Sequence, residues 1–216
     1  MEFIGREPKL ARIGRVLARD VQQNVLVYGR RRVGKSALIK RALEQRGAEA
    51  TIYFECQETS ERDNVASLAA LAAEALGFPP LAIGGVPALL DVLFEQVQSK
   101  DVVLVLDEYP YLRDAVKGLG SIVQTSIDRW RESSRMKIVL CGSCVEVMRS
   151  LLEASSPLYG RMDLARELGW RTRFPCTSGP RFQRSSTPTR CLERFRRAIL
   201  AGVTYLTSRT SQAARQ

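Results

Sequence analysis

Eight consecutive residues in the first fifth of the sequence have the composition and spacing of a loop that binds phosphate groups. They match the pattern G-x-x-x-x-G-K-[ST], follow a short apolar segment that ends at Tyr28, and precede a segment with helical periodicity. Glycines let the backbone turn tightly, so that successive N–H groups and the start of the helix point at phosphate oxygens. We expect Lys35 to reach the β- and γ-phosphates and the Ser36 hydroxyl to ligate Mg²⁺. The loop consists of Gly29, Arg30, Arg31, Arg32, Val33, Gly34, Lys35 and Ser36.

Two acidic residues follow the longest clean apolar segment of the chain. Residues 102–106 have the pattern of a strand buried on both faces, and Asp107 and Glu108 come directly after it. At the carboxyl end of such a strand, Asp107 would lie beside the phosphate loop and hold the Mg²⁺ ion. Glu108 would then be the general base that takes a proton from the attacking water. A strand that ends in two acids is common by itself, and the preceding phosphate loop gives this one its significance.

A third polar side chain is predicted at the end of the next strand along the chain. Ser143 follows an apolar segment at residues 137–141. In NTPases that insert a strand between the loop strand and the acid strand, a polar residue here contacts the γ-phosphate or the attacking water. Ser143 suits that role, and it suits equally well the N-cap of the helix predicted at residues 143–153. The sequence leaves both roles open.

Other chemistries are less well supported by the residues present. The chain contains no histidine, which excludes His–metal sites and the catalytic triads or dyads that need an imidazole. Cys141 and Cys144 have the spacing of a redox motif or of half a zinc site, but Cys176 and Cys191 do not form the second pair that zinc would need. The Asn-Lys-x-Asp element with which guanine-specific NTPases read the base is missing, so we favour ATP. A Glu directly after the metal-binding Asp favours water as the phosphoryl acceptor.

These residues need a scaffold that brings several strand ends together. Apolar strand segments alternate with helical patterns, which predicts an α/β fold with three layers and a mainly parallel sheet. The order of the phosphate loop, the acid strand and the Ser143 strand resembles that of phosphate-loop NTPases of the additional-strand type, and this resemblance implies that type of sheet. The predicted strands are residues 25–28, 51–56, 102–106 and 137–141. The predicted helices begin near Pro8 and near Pro87 and cover residues 35–46, 60–76, 119–133 and 143–153.

Charge divides the chain into two parts. Of the net charge of +10, residues 1–170 contribute little, because their 23 basic and 22 acidic side chains nearly balance, whereas residues 171–216 contain ten Arg and one acid. The second part is also rich in Ser and Thr and has little apolar periodicity. We therefore predict a phosphate-loop ATPase domain at residues 1–170 and a poorly structured basic tail at residues 171–216. A tail of this kind could contact nucleic acid through the phosphates.

The sequence gives no sign of membrane attachment or export. No apolar segment reaches the roughly 18 residues that a membrane-spanning helix needs, and the first residues lack the layout of a signal peptide. The five cysteines, an odd number, agree with a reducing compartment. We expect a cytoplasmic protein.

The motifs together resemble those of the archaeal-type ATPase family, within the AAA-like and STAND phosphate-loop NTPases. The family's F-x-G-R-E box is matched at residues 3–7 and its Y-G-R-R-R-x-G-K-[ST] loop at residues 28–36. The segments D-E-[FY]-P-Y-L at 107–112, the sensor strand ending at 143 and S-P-L-Y-G-R at 156–161 follow in the family's order. The resemblance covers residues 1–168.

The resemblance implies roles that the residues alone do not reveal. The opening box would pack near the adenine. Arg161 would be a positive charge brought toward the γ-phosphate, either within the chain or across a subunit contact. Family members normally continue through a winged-helix segment, so we expect a truncated product or a frame disturbance after about residue 170.

The functional expectation is an ATP-binding, Mg²⁺-dependent ATPase module whose hydrolysis cycle drives a conformational switch. Self-association or a protein client would be its further partners. Two alternatives stay open: a nucleotide-binding fragment without turnover, and a nucleic-acid-binding protein that acts through the basic tail.

Overall fold

Five strands and seven helices make up the part of the chain that the computed structural model describes, residues 6–79, 83–98 and 100–169. These residues all belong to the first of the chain's two units, Met1–Arg171 and Thr172–Gln216. The strands are β1 (Gln23–Tyr28), β2 (Ala50–Glu55), β3 (Val102–Asp107), β4 (Lys137–Gly142) and β5 (Leu164–Glu167). The helices are α1 (Glu7–Leu17), α2 (Lys35–Arg46), α3 (Glu61–Leu76), α4 (Val86–Val97), α5 (Tyr109–Ala115), α6 (Leu119–Trp130) and α7 (Val145–Ser150).

The strands form one parallel sheet in the order β2-β3-β4-β1-β5. Strand β4 lies between β1, which leads into the phosphate loop, and β3, which ends in the acids. This confirms the additional-strand fold. Because all strands run the same way, the segments after β1, β3 and β4 emerge at the same edge of the sheet. Tyr28 is paired with Gly142, which places the phosphate loop directly beside the end of β4.

Helices cover both faces of the sheet, as the alternation of apolar side chains in β1 requires. Val25 and Val27 pack with buried residues of α1 and α2 on one face, whereas Leu26 packs with α3 to α7 on the other. Ile13 and Leu17 of α1 are completely buried, which agrees with the helical spacing seen in the sequence. The three central strands, β1, β3 and β4, are buried along their whole length.

Two elements were not predicted from the sequence. Strand β5 has the sequence Leu-Ala-Arg-Glu and lies at the sheet edge, where only Leu164 is buried, so it has no apolar run to reveal it. Helix α5 begins immediately after Glu108 and is only 7 residues long.

Helix α7 is shorter than the prediction of 143–153. The predicted basic tail, 171–216, and residues 3–5 of the opening box lie outside the described residues.

Candidate functional site

The loop of residues 29–36 joins β1 to α2 and lies against the segment that follows β5. Gly29 has a φ of +151° and Gly34 a φ of +79°, both in the region that favours glycine. A Cβ atom on Gly29 would lie 2.2 Å from the carbonyl oxygen of Leu168. The Leu168 N–H in turn donates to the carbonyl oxygen of Tyr28 at 2.7 Å. Any side chain at position 29 would therefore require the loop or the segment after β5 to shift.

The Lys35 side chain is folded back over its own loop. The residue is only 5% exposed, and its Nζ donates to the carbonyl oxygens of Gly29 at 3.0 Å and Arg30 at 3.2 Å. Both partners are neutral, whereas a phosphate oxygen would be a charged and stronger acceptor. The ammonium group is thus held at the loop by contacts that a phosphate can replace.

A hydroxyl and a carboxylate meet where α2 begins. The Oγ of Ser36 donates to Oδ2 of Asp107 at 2.7 Å, and the phenol of Tyr53 donates to the same oxygen at 2.5 Å. Burial pushes the pKa of Asp107 upward, but hydrogen bonds from Cys141, Tyr53 and Ser36 outweigh burial and hold it below its usual value. The carboxylate is therefore ionised at neutral pH. Hydroxyl and carboxylate oxygens are hard ligands of the kind that Mg²⁺ prefers.

The groups that surround Asp107 keep their protons. Burial, followed by the hydrogen bond to Asp107, raises the pKa of the Tyr53 phenol well above its usual value. Burial also raises the pKa of the Cys141 thiol, and it raises that of the Cys56 thiol to about 12. These side chains are neutral, so within this cluster the negative charge belongs to the Asp107 carboxylate.

Glu108 adopts an uncommon backbone conformation that turns the chain from β3 into α5. Its φ is +51°, and the only other described non-glycine residue with positive φ is Arg32 of the phosphate loop. Such a conformation costs on the order of 1–3 kcal/mol and tends to occur at functional sites. One carboxylate oxygen of Glu108 accepts hydrogen bonds from the Ser143 hydroxyl at 2.9 Å and from its backbone N–H at 3.0 Å.

Of the two roles left open for Ser143, the helix N-cap does not fit the structure. Helix α7 begins at Val145, and the N-cap position belongs to Cys144, which makes no side-chain capping bond. The Ser143 hydroxyl is instead directed across the strand ends to Glu108, whose carboxylate is a charged and strong acceptor.

An open cavity of about 350 Å³ lies over the phosphate loop. Its walls carry both positive and negative side chains, among them Glu55 at the end of β2. The guanidinium of Arg31 crosses the rim and donates to the Tyr111 hydroxyl of α5 at 2.8 Å. Val33 differs from its neighbours in the loop, because its side chain is buried in the core under α1 and α2. The cavity is lined by Arg31, Arg32, Gly34, Lys35, Ser36, Ala37, Glu55, Glu108 and Tyr111.

One residue of the opening F-x-G-R-E box contacts the loop directly. The guanidinium of Arg6 donates to the carbonyl oxygen of Gly34 at 3.3 Å. A Cβ atom on Gly34 would lie 3.0 Å from the same guanidinium. Arg6 therefore contacts the loop at the second glycine of the phosphate-binding pattern.

A comparison with protein families agrees with these observations. The model of an ATPase domain found predominantly in Archaea matches residues 3–168, which include every described element. The chain belongs to this family. It thus contains a nucleotide-binding ATPase domain of the archaeal type.

A curated relative of this ATPase domain comes from Methanocaldococcus jannaschii. It is named uncharacterized protein MJECL04 and is 28% identical over 160 residues. The match covers 74% of this chain and 34% of the relative.

Solved structures share the fold at lower identity. The Walker-type ATPase PABY2304 of Pyrococcus abyssi has a TM-score of 0.51 at 20% identity, covering 77% of this chain and 53% of its own. The ORC2 protein of Aeropyrum pernix, in ADPNP–ADP complexes, has a TM-score of 0.60 at 15% identity, covering 77% and 48%. The ORC1 protein of the same organism, in complex with DNA, has a TM-score of 0.56 at 19% identity, covering 78% and 46%.

The ATPase domain accounts for only part of each of these proteins. The chain spans about a third of the curated relative and about half of the solved structures. Within the described ranges, no helix combines the length and the apolar character needed to cross a membrane.

The ATPase domain does not bring Arg161 to its phosphate loop. The Arg161 guanidinium binds Asp128 of α6 with contacts of 2.7 to 3.1 Å, and the Arg161 carbonyl accepts from the Asn24 side chain at 3.0 Å. Asn24 lies near the start of β1, whereas the loop follows its end at Tyr28. Arg161 therefore lies at the end of the sheet where β1 begins, opposite the end that carries the phosphate loop. The role expected for it toward the γ-phosphate within one chain does not fit this arrangement.

Sequence reasoning did not identify three residues that lie near the site. Glu55 could have been found, because it ends a strand next to β3 and is paired with Asp107 in the register. Tyr111 belongs to the D-E-[FY]-P-Y-L segment but gave no sign of a contact with Arg31. Tyr53 had no signal, because an aromatic residue inside a strand normally indicates only packing.

Proposed function

We propose that this ATPase domain binds ATP together with Mg²⁺ and hydrolyses it to ADP and phosphate. The observation that supports the proposal most directly is the hydrogen bond from the Ser36 hydroxyl to the Asp107 carboxylate, at 2.7 Å, beside the phosphate loop. A hydroxyl that follows the loop lysine and a carboxylate at a buried strand end are the two protein groups with which phosphate-loop NTPases hold the metal ion.

The residues at the loop fit the phosphates of a nucleotide. The glycine conformations at positions 29 and 34 would allow the loop to turn its backbone N–H groups toward a phosphate, and the N-terminal end of α2 adds its partial positive charge. Arg31, Arg32 and Lys35 line the cavity over the loop and would offset the negative charge of the nucleotide. Together these groups favour a polyphosphate.

The oxygen groups at the loop also fit Mg²⁺. This ion is usually held by one or two protein oxygens, substrate phosphates and water, so Ser36 and Asp107 are a sufficient protein contribution. When bound, Mg²⁺ would neutralise charge that develops on the phosphates.

Glu108 is the proposed general base and Ser143 the residue that holds it. The Glu108 carboxylate lines the cavity over the loop, where a water molecule has access to it. The two hydrogen bonds from Ser143 limit the rotation of the carboxylate and leave its second oxygen free of that contact. A base oriented in this way can take a proton from water as the water attacks the γ-phosphate.

Hydrolysis would act as a conformational switch through contacts that the nucleotide replaces. Lys35 binds two loop carbonyls, and Arg31 binds Tyr111 of α5. Phosphates that draw these cations into the cavity would release both contacts, and loss of the γ-phosphate would allow them to form again. The cycle would thereby change the position of α5 relative to the loop.

A second copy of the chain is the proposed partner for Arg161. Since Arg161 lies at the end of its own sheet opposite the phosphate loop, a role toward the γ-phosphate requires a subunit contact. A protein client is a further proposed partner.

The described cysteines Cys56, Cys141 and Cys144 are free, which supports the cytoplasm as the proposed location.

Nucleic acid is a second candidate partner, supported by the composition of the tail. Residues 171–216 contain ten Arg and one acid, and the A. pernix ORC1 structure with the same fold was solved in complex with DNA. Binding through phosphates would weaken steeply as salt is raised. A salt series of DNA binding, with the full chain and with a chain that ends at Pro175, tests this candidate.

The proposed function is tested by ATP binding to the Lys35→Ala variant. We expect affinity for MgATP to fall by more than about tenfold, because a hydrogen bond to a charged group contributes roughly 1.5–3 kcal/mol. Lys117→Ala removes an exposed lysine outside the site and is the matched control. Affinity of Lys35→Ala within about twofold of the parent would contradict the proposal.

Single-turnover hydrolysis separates the proposal from the alternative without turnover. A nucleotide-binding fragment would bind MgATP and depend on Lys35 in the same way, but it would leave the bound ATP intact. Release of phosphate from bound ATP, at a rate that depends on Glu108, supports the ATPase.

A further inference from the structure

The hydroxyl of Tyr53 connects the edge strand β2 to the acid at the end of β3. In the sheet register Tyr53 is paired with Val105, two residues before Asp107. Its ring is half-buried, and its O–H donates to Oδ2 of Asp107 at 2.5 Å. The bond therefore joins two strands by their side chains at the point where the phosphate loop meets the sheet.

The carboxylate of Asp107 is held on both of its oxygens. Oδ2 accepts from Tyr53 and from the Ser36 hydroxyl at 2.7 Å, and Oδ1 accepts from the backbone N–H of Glu108 at 3.0 Å. A carboxylate has about four acceptor positions, so these bonds use most of its capacity and fix its rotation. Without the phenol, Oδ2 would lose one of the two hydroxyl donors that hold it.

The ring of Tyr53 is itself held in place from the helix that follows the phosphate loop. Lys40 lies one helical turn beyond Ser36 on α2, and its Nζ is 4.7 Å from the centre of the Tyr53 ring. A cation at this distance over the face of an aromatic ring is attracted to it. The same helix thus provides the hydroxyl that contacts Asp107 and the cation that orients Tyr53.

We propose that Tyr53 is a positioning residue that fixes the Asp107 carboxylate for the Mg²⁺ ion of MgATP. The inference rests on the proposed function, because it assigns Asp107 to the metal. Tyr53 would not touch the nucleotide, so its effect should appear in the dependence on Mg²⁺ and not in the affinity for the phosphates. Groups that orient a metal ligand typically change metal affinity or activity by about 10–100-fold when they are removed.

The test is a titration of Mg²⁺ with the Tyr53→Phe variant, which removes the hydroxyl and keeps the ring under Lys40. We expect about tenfold more Mg²⁺ to be needed for half-maximal single-turnover hydrolysis. ATP affinity in EDTA should stay within about twofold of the parent, and saturating Mg²⁺ should restore the rate. Tyr159→Phe makes the same chemical change at a residue that is 54% exposed and serves as control.

Three results would overturn the role of Tyr53. The first is an unchanged Mg²⁺ dependence. The second is an equal loss of ATP affinity with and without Mg²⁺, which would indicate a merely structural contribution. The third comes from a double-mutant cycle: Tyr53→Phe should change the Mg²⁺ dependence no further in an Asp107→Ala background, and additive effects would contradict the proposal.

Failure of this inference is distinguishable from failure of the proposed function. If the parent chain shows no Mg²⁺-dependent ATP binding, the assignment of Ser36 and Asp107 fails. If the parent binds MgATP, Asp107→Ala weakens that binding and Tyr53→Phe matches the parent, only the role of Tyr53 is wrong.

Discussion

The hydroxyl and the backbone N–H of Ser143 both donate to one carboxylate oxygen of Glu108, at 2.9 and 3.0 Å. The two residues are 35 positions apart and meet because β3 and β4 are neighbours in a parallel sheet. The first residue after β4 therefore determines how the proposed general base is oriented.

Glu108→Gln is expected to stop hydrolysis and to leave ATP binding within about twofold of the parent. The amide oxygen can still accept from Ser143, but the group cannot take a proton from water, and general-base catalysis contributes about 10²–10⁴-fold. Single-turnover phosphate release and equilibrium ATP binding measure the two effects. Glu153→Gln, at an exposed position outside the site, is the control. An unchanged rate in Glu108→Gln would exclude Glu108 as the base.

Ser143→Ala is expected to lower the hydrolysis rate by about tenfold, since one of two hydrogen bonds to a charged group is lost and the backbone bond remains. ATP affinity should change little, because Ser143 contacts Glu108 and not the loop. Measurements of kcat and of ATP affinity separate these effects, and Ser155→Ala at an exposed position is the matched control. A loss confined to ATP affinity would argue instead for a direct contact with the nucleotide.

Gly29→Ala is expected to destabilise the domain by about 1–3 kcal/mol, the usual range for forcing an extra methyl group into a packed site. The new Cβ would lie 2.2 Å from the backbone oxygen of Leu168, so β5 or the loop must move. Gly14→Ala, inside α1 with no atom within 4 Å, should be neutral or stabilising. Thermal melting compares the two variants. Equal melting temperatures would mean that the loop does not pack on residue 168.

Asp101→Asn is expected to destabilise the domain by about 3–5 kcal/mol, the usual cost of leaving a buried charge without its partner. Asp101 forms ion pairs with Arg46 and Lys137, whose side chains are 4% and 1% exposed. Burial pushes the pKa of Asp101 upward, but the hydrogen bonds from both cations outweigh it and leave the pKa below 3.8. Burial lowers the pKa of Lys137, and Asp101 opposes that shift.

The sign of this pKa shift sets the pH dependence. A carboxylate with a depressed folded-state pKa adds stability above its unfolded pKa and loses it as the pH falls through the folded value. The stability difference between parent and Asp101→Asn should therefore be complete above about pH 5 and shrink at lower pH. Chemical denaturation across this range measures it. Asp20→Asn removes an exposed ion pair with Arg135, expected to contribute under about 1 kcal/mol, and is the control. Equal losses in both variants would contradict the prediction.

Arg161 is expected to act in a neighbouring copy, which mixing two inactive variants can reveal. Lys35→Ala offers an intact Arg161 but binds ATP poorly, whereas Arg161→Ala binds ATP but lacks the guanidinium. Hydrolysis by the mixture should exceed the sum of the separate rates. Arg131→Ala, which removes a comparable exposed ion pair with Asp163, should be active alone. A mixture that equals the sum would exclude a role across the subunit contact.

Much of the site could be predicted from the order of residues along the chain. A phosphate loop is one continuous segment, so its glycines, Lys35 and Ser36 are visible in the sequence. Asp107 is visible because a strand buried on both faces has an apolar pattern that stops at the acid. The sheet edge at which they meet follows from parallel strands with helical connections.

Contacts between distant segments were decided by tertiary structure. Whether Ser143 caps a helix or holds Glu108 depends on the spacing of two neighbouring strands, and local patterns do not contain that distance. The same limit explains why Arg161 was expected near the phosphates: the motif is local, but Asn24 and Asp128 hold it at the other end of the sheet.

The sequence by itself determined the family, the sheet type and the loop, because each depends on local residue order and on the period of apolar side chains. Only the tertiary structure decided which side chain holds which carboxylate, because those hydrogen bonds depend on strand register and on side-chain direction. Tyr53 is the clearest case. A tyrosine within a strand predicts packing, and its bond to Asp107 exists only because β2 and β3 are paired in the register that brings the phenol to the carboxylate.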